Sequence, residues 1–395
     1  MKEGWEYKTL GECCEILNGY PFKSSLYSNS GIRVIRITNV QKGYVIDSNP
    51  KYYPESKINE ISNFILKNED ILISLTGNVG RVAILQKEFL PAALNQRVAC
   101  LRIKDMIVNK KFLFFYLNND LFEKLCIKNS TGAAQLNMST VWLKKQIIPI
   151  PSYDEQRRIV SYLDSSFKLI DEIKNKALKS LTESKALFQS ALAEAMEPKE
   201  GWEEKTLGEI ATEMYRGSGI KRDQITPIGF PCLRYGEIYT TYNYSFSECI
   251  SHTNESIISQ KKYFEKGDIL FAITGESVED IGKCIAYTGK EKCLLGGDIV
   301  AMKHNQYPQF LAYALSTKEA IRQKGLGKVK LKVVHTNIPA LKTIRIYLPN
   351  LSTQKQIVSH LDKLSSKVRA IEEKYQKMVE ECDALKQAML RDVFE

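Results

Sequence analysis

One stretch of this chain occurs twice. GWEYKTLGE at residues 4–12 returns as GWEEKTLGE at residues 201–209, with eight of nine positions identical at an offset of 197. PIPSYDEQRRIVSYLD (149–164) returns as YLPNLSTQKQIVSHLD (347–362) at an offset of 198, pairing Pro151 with Pro349 and Gln156 with Gln354. The same register aligns Asp70-Ile71-Leu72 with Asp268-Ile269-Leu270, and Thr76-Gly77 with Thr274-Gly275. A period near 200 residues duplicates a whole domain rather than a solenoid unit. At 395 residues the chain also exceeds the usual size of one hydrophobic core.

Each copy has the same plan: a Trp-containing opening, a divergent middle and a Pro-bounded helix. The middles are strand-rich. IRVIRITNV (32–40) alternates, and DILISLTG (70–77) and DILFAITG (268–275) are short apolar runs ending in turns. KFLFFYLNNDLFEKLC (111–126) and QFLAYALSTKEAIRQK (309–324) read as helices. Ser152 with Glu155, and Thr353 with Gln356, are candidate capping boxes opening the closing helices. Beyond residue 356, apolar or near-apolar residues fall at 357, 361, 364, 368, 371, 375, 378, 382, 385 and 389, a period of 3.5. The first copy is looser, through Ile159, Leu163, Phe167, Ile170, Ile173, Ala177, Leu181, Phe188 and Leu192.

Neither Pro nor Gly interrupts 152–197 or 351–395, so each helix has room for about 40 residues, roughly 60 Å at 1.5 Å per residue. The expected fold is mixed α/β (α+β). Two duplicated globular domains, residues 1–151 and 201–349, are separated by long helices over 152–200 and 350–395. The helices pack as an antiparallel coiled coil with pseudo-twofold symmetry. Pro198 breaks the first helix before the second copy starts.

Charge follows the same division. Residues 1–151 hold 20 Lys/Arg and 13 Asp/Glu, and residues 201–349 hold 20 and 16. The helical stretches are near neutral, 8 against 9 and 8 against 8. Two basic blocks joined by neutral spacers suit two meetings with a polyanion. The nine cysteines form no CxxC pair, and the histidines number only four. Buried free thiols in a reducing cytoplasm are expected, without a zinc or disulfide framework. No apolar run is long enough for a membrane span, and the N-terminus has no signal core.

Catalytic motifs are incomplete. NPKYYP (49–54) has Lys51 where the adenine-methyltransferase loop has its second proline, and no glycine-rich loop after a strand accompanies it. GESVEDIGKC (275–284) has the wrong glycine spacing for a phosphate loop, with Cys284 where a magnesium-binding hydroxyl belongs. Residues recurring between copies are structural types, so no catalytic site and no cofactor are expected in this chain.

Nucleic-acid-binding candidates lie in the divergent middles. TGNVGRVAIL (76–85) offers Asn78 and Arg81 on a glycine turn, answered in the second copy by Lys283. LNQRVACLR (94–102) offers Asn95, Gln96 and Arg97, where the second copy has LGGDIVAMK. Asn suits adenine, Arg suits guanine or phosphate, and glycine admits close backbone approach. IRQKGLGKVKLK (321–332) carries Lys324, Lys328, Lys330 and Lys332 in an acid-free run, the last three on one strand face. A solvated guard of a strand edge is the alternative for any one of these lysines. GYPFKSS (19–25) adds Lys23, and RGSGIKRD (216–223) adds Arg216, Lys221 and Arg222. The tyrosines of RYGEIYTTYNY (234–244) serve either core or contact.

Taken with NGYPFKSS, LNQRVA and the paired opening and closing motifs, the chain resembles the specificity subunit of type I restriction–modification systems over essentially its whole length. The start of the proline-flanked helix, EQRRIVSYLD, is the most specific piece, and Thr353 departs from the pattern of Glu155. The resemblance implies two target-recognition domains, each reading half of a split double-stranded DNA sequence. It implies a helical pair that sets the gap and docks two modification subunits. S-adenosylmethionine, ATP and Mg would enter with those modification subunits and with restriction subunits. Two other readings remain, a coiled-coil adaptor that never reads DNA and a self-contained adenine methyltransferase.

Overall fold

The repeated opening and closing segments are zipped to each other within each copy. In the computed structural model, which describes residues 4–104, 107–132, 135–278, 280–326 and 334–395, Glu6–Thr9 pairs antiparallel with Ile147–Ile150. Glu203–Thr206 pairs likewise with Arg345–Leu348. Thr9 and Thr206 then end their strands by capping a short helix. The Glu12 and Glu209 carboxylates accept from the Thr9 and Thr206 backbone N–H at 2.6 and 2.7 Å, and each threonine hydroxyl accepts from its glutamate N–H. Leu10 and Leu207, which follow the caps, are fully buried. Trp5 and Trp202 lie 6.2 Å from Phe112 and Phe310 respectively. The Trp, Thr, Leu and last Glu of the repeated opening therefore have scaffolding tasks.

The chain forms two compact units, residues 1–178 with 376–395, and residues 179–375. Each long helix contributes a part to each unit. In the first unit a four-stranded antiparallel sheet runs in the order Cys14–Asn18, Val98–Ile103, Ile71–Ser74, Val82–Ile84. A three-stranded sheet adds Tyr52–Tyr53, Ile32–Ile35 and Ala92–Leu94. In the second unit one five-stranded sheet runs Ala211–Arg216, Ile299–His304, Ile269–Ala272, Cys284–Tyr287, Ser245–Phe246. Another runs Ile225–Thr226, Ser251–Thr253, Phe230–Leu233, Cys293–Leu295, Tyr263–Phe264. The central strands Ile71–Ser74 and Ile269–Ala272 are buried throughout, which is why they read as unbroken apolar runs.

The aspartates preceding these strands are buried too. Asp70 receives the fork of Arg102, Nε at 3.0 Å and Nη2 at 2.8 Å. Asp268 has the Lys303 ammonium at 3.5 Å and the Glu265 N–H at 2.9 Å, and burial holds its carboxyl above the usual range. All nine cysteines are free thiols, eight of them buried. Among the described residues no helix is long and apolar enough to cross a membrane, and no three His, Cys, Asp or Glu gather as a metal-binding group.

Several elements differ from their sequence reading. The stretch 111–126 is two helices, Lys110–Leu117 and Asp120–Lys128, because Asn119 caps a new helix by accepting from the Leu121 N–H. The stretch 309–324 divides in the same way into Pro308–Ala314 and Lys318–Gly325, the second capped by Thr317. IRVIRITNV keeps only Ile32–Ile35 as strand, because the Asn39 side chain draws the next residues into a turn by accepting from the Arg36 N–H.

The long helices span Tyr153–Ala195, 43 residues, and Leu351–Phe394, 44 residues. Ser152 caps the first as expected, accepting from the Glu155 N–H. The second is capped by Asn350, which accepts from the Thr353 N–H, so Thr353 lies inside the first turn and is not the cap. In the first unit Asp171 pairs with Lys386 and Lys174 with Asp383, each at 2.6 Å, so the helices run antiparallel. In the second unit Phe188 and Leu192 share a core with Val358 and Leu361. The predicted stripe is only partly the buried face. Ile173, Ile371 and Leu385 are exposed, whereas Val358 and Leu390 are buried. A straight helix drifts about 20° per heptad from a strict 3.5 repeat, and here each helix packs against its globular domain as well as its partner.

Gln156 and Gln354 tie these helices to the domains. Both are fully buried. Gln156 accepts from the Asn109 N–H at 2.7 Å and donates to the Ile107 and Pro151 carbonyls, both at 2.9 Å. Gln354 accepts from the Tyr307 N–H at 3.0 Å and donates to the Pro349 carbonyl and the Gln306 side chain, both at 2.8 Å. Gln156→Leu leaves one amide and two carbonyls without their partner. Chemical denaturation is expected to show a loss of about 3 kcal/mol in the first unit, with the Asn109 amide exchanging faster.

Candidate nucleic-acid interface

The interface candidates gather where a glycine lets two backbones touch. In the first unit the edge strand Cys14–Asn18 runs into Gly19, where an added Cβ would lie 2.2 Å from the Asn95 carbonyl carbon. That approach lets the Tyr20 N–H donate to Leu94 O at 2.8 Å and the Gln96 N–H donate to Tyr20 O at 3.0 Å. On the other side the Leu75 N–H donates to Arg97 O at 2.9 Å. The Gly77 N–H and the Thr76 hydroxyl bond Leu136 O and the Asn137 side chain. Three segments singled out in the sequence, 19–25, 94–97 and 76–81, thus meet at one end of the sheet.

Lys23, Asn78, Gln96 and Arg97 are exposed there. Their amide and guanidinium groups match the donors and acceptors of base edges and phosphates. Two other candidates serve the scaffold. Asn95 is buried, and its Oδ1 accepts from the Arg97 N–H at 3.1 Å, so it shapes the turn and does not offer its amide outward. Arg81 is half-buried and donates to Gln41 Oε1 at 2.6 Å.

The second unit repeats the junction with other side chains. A Cβ on Gly217 would lie 2.1 Å from Gly296 O, and the Ser218 N–H donates to Leu295 O at 3.1 Å. The Ile273 N–H donates to Asp298 O, and Thr274 pairs with His335. Where the first unit shows Asn95-Gln96-Arg97, this one has Gly296-Gly297-Asp298. Exposed Arg216 reaches across to it, bonding Asp298 Oδ1 at 2.6 Å and Gly297 O at 2.7 Å. Lys221 and Arg222 are exposed at the start of the turn Arg222–Gln224.

Lys283 and Lys324 are corrections. Lys283 is half-buried, with Nζ directed to the Tyr239 and Tyr242 carbonyls at 3.4 and 3.5 Å. Lys324 is buried, donating to Leu315 O at 2.8 Å, because the helix Lys318–Gly325 turns it toward the core. Lys328, Lys330 and Lys332 lie outside the described residues. Tyr242 stacks on Phe246 at 4.3 Å and Tyr244 packs on Tyr313 at 4.5 Å, whereas Tyr235 is exposed. The sequence reading passed over Gly19 and Gly217 as a pair, although both recur at offset 198.

A family model for the type I restriction modification DNA specificity domain matches residues 2–183 and again 199–381. The chain belongs to that family. It carries two such domains, and the matched blocks have the period of the duplication. The specificity subunit of the type I restriction enzyme EcoAI of Escherichia coli is 31% identical over 200 residues, covering 49% of this chain and 33% of that protein. The MjaVIII specificity subunit of Methanocaldococcus jannaschii is 31% identical over 196 residues, covering 49% of this chain and 46% of that protein. These two matches therefore span less than half of either relative. The Escherichia coli EcoBI specificity subunit matches across 100% of this chain and 86% of its own length at 24% identity. A solved chain described under complex assembly and conformational transition of the type I R-M system has the same fold. Its TM-score is 0.72 at 18% identity, over 100% of this chain and 98% of that one.

For the specificity domains the glycine junctions are directly testable. Gly19→Ala drives a methyl group into the Asn95 carbonyl and is expected to cost about 1–3 kcal/mol by overpacking. Hydrogen exchange should quicken at the Gln96 amide. Gly217→Ala should act in the same way at Ser218.

Proposed function

We propose that this chain is the DNA-specificity subunit of a type I restriction–modification assembly, with each domain reading one half of a split double-stranded target. The observation that carries this reading is the contrast at the glycine junction. One scaffold, closed by the same strands and the same glycine approach, presents Gln96 and Arg97 in one domain and Gly297, Asp298 and Arg216 in the other. A duplicated enzyme would repeat its reactive groups, whereas a duplicated reader has reason to vary them. The long helices act as spacer and docking surface, their near-neutral charge suiting protein partners better than DNA.

Two modification subunits bring S-adenosylmethionine to the adenine, and restriction subunits bring ATP and Mg for translocation and cleavage, all in the cytoplasm. This chain contributes position and no chemistry. Methylome sequencing tests the reading. Replacing residues 1–151 by another such domain is expected to change one half-site and leave the other intact; a change in both sinks modular reading. Adding matched heptads to both helices should lengthen the gap and spare both half-sites. If the gap stayed constant, the spacer role would be refuted. Binding of S-adenosylmethionine by the isolated chain would favour a self-contained methyltransferase, and DNA binding by the assembled complex that is insensitive to salt would favour an adaptor.

A further inference from the structure

The duplication supplies an internal control for one unusual residue. At offset 198, Cys126 of the first domain becomes Lys324 of the second. The two occupy equivalent places against a left-handed glycine. A Cβ on Gly80 (φ +82°) would meet Cys126 Cβ at 2.9 Å, and one on Gly282 (φ +71°) would meet Lys324 Cδ at 3.1 Å. Cys126 is fully buried and its position is satisfied by a small apolar group. The scaffold therefore does not require an ammonium group there, yet the second copy buries one to 5% exposure.

That ammonium is poorly compensated. It has three donors, and among the described residues its bond is to the Leu315 carbonyl at 2.8 Å, with no carboxylate in ion-pair reach. Lys283 lies nearby with two long carbonyl contacts and, among the described residues, likewise no ion pair. Burial holds both amines below the ordinary lysine range. Both line a cavity of about 170 Å³, together with Gln189, Asn243, Ser316 and Asp280. Asp280 accepts from the Ser277 hydroxyl at 2.8 Å, so two ammonium groups face one carboxylate. The cavity has room for several waters and is rich in donors.

We propose that this cavity of the second domain binds a phosphate-sized oxyanion between the Lys324 and Lys283 ammonium groups. A tetrahedral oxyanion accepts the hydrogens that Leu315 leaves over, and the amides and hydroxyl around it complete the shell. The first domain has Cys126 and Arg81 at these places and so lacks this pair of ammonium groups. The ligand is a free oxyanion, since Lys324 is buried and Lys283 half-buried, and the site stands whether or not the chain reads DNA.

Isothermal titration of the full chain with inorganic phosphate, at fixed ionic strength, tests the site. One saturable event is expected, and Lys324→Cys and Lys283→Met should each weaken it by about ten-fold or more. Lys324→Cys reproduces the residue of the first domain, and circular dichroism with thermal unfolding checks that each variant is folded. Should Lys324→Cys fail to fold, Lys283→Met carries the test. A duplex oligonucleotide is expected to leave the phosphate bound, and displacement by the duplex would overturn the free-oxyanion site. Absence of saturable binding, or undiminished binding in the folded variants, overturns the proposal.

Discussion

The pairing of each domain's first strand with its last is the constraint from which the rest follows. Glu6–Thr9 against Ile147–Ile150, and Glu203–Thr206 against Arg345–Leu348, bring the two ends of a domain of about 150 residues side by side. A chain closed at its ends can change what lies between without losing its frame. The buried glutamine one turn into each long helix extends the closure, binding the helix start to the loop beside it. Such backbone-directed bonds are indifferent to most side chains, which lets the middles diverge while the frame persists.

The frame was legible in the sequence because it is local and repeated. The repeated openings and the proline-bounded helix starts are each short continuous stretches, and recurrence at offsets of 197 and 198 marked them, although the Thr-x-x-Glu caps within the openings went unread. The rest depended on which way individual polar side chains turn once the backbone is folded. Asn95 and Lys324 were polar residues in polar neighbourhoods and so were taken as surface groups. Asn95 turns inward because its carbonyl oxygen caps the Arg97 amide, and Lys324 because its helix lies over Gly282. The second helix cap moved to Asn350 because the helix starts two residues before Thr353. The extra helix starts within 111–126 and 309–324 were marked by Asn119 and Thr317, capping residues that a reading of apolar content alone passed over.

The glycine junctions separate frame from message within a few ångströms. Gly19 and Gly217 do the same steric work, admitting a neighbouring carbonyl where any Cβ would collide. Each approaches a leucine carbonyl, Leu94 or Leu295, but the residues that follow differ, Asn95-Gln96-Arg97 against Gly296-Gly297-Asp298. The same division runs through the interior, where Asp70 has a guanidinium fork and Asp268 a single ammonium at longer range. Duplicated positions that keep their chemistry mark the frame, and those that exchange it mark where the copies acquired separate tasks.

In the first unit Phe394, near the end of the second long helix, and Trp5 both pack on Phe112, at 5.3 and 6.2 Å. In the second unit Ala195 and Met196, at the end of the first long helix, pack on the same core as Trp202, and the chain itself runs between them. What is a covalent link in one unit is a contact between aromatic rings in the other. Each unit thus joins a long-helix end to its Trp-containing opening around one phenylalanine, Phe112 or Phe310, by ring packing in the first and beside the chain itself in the second.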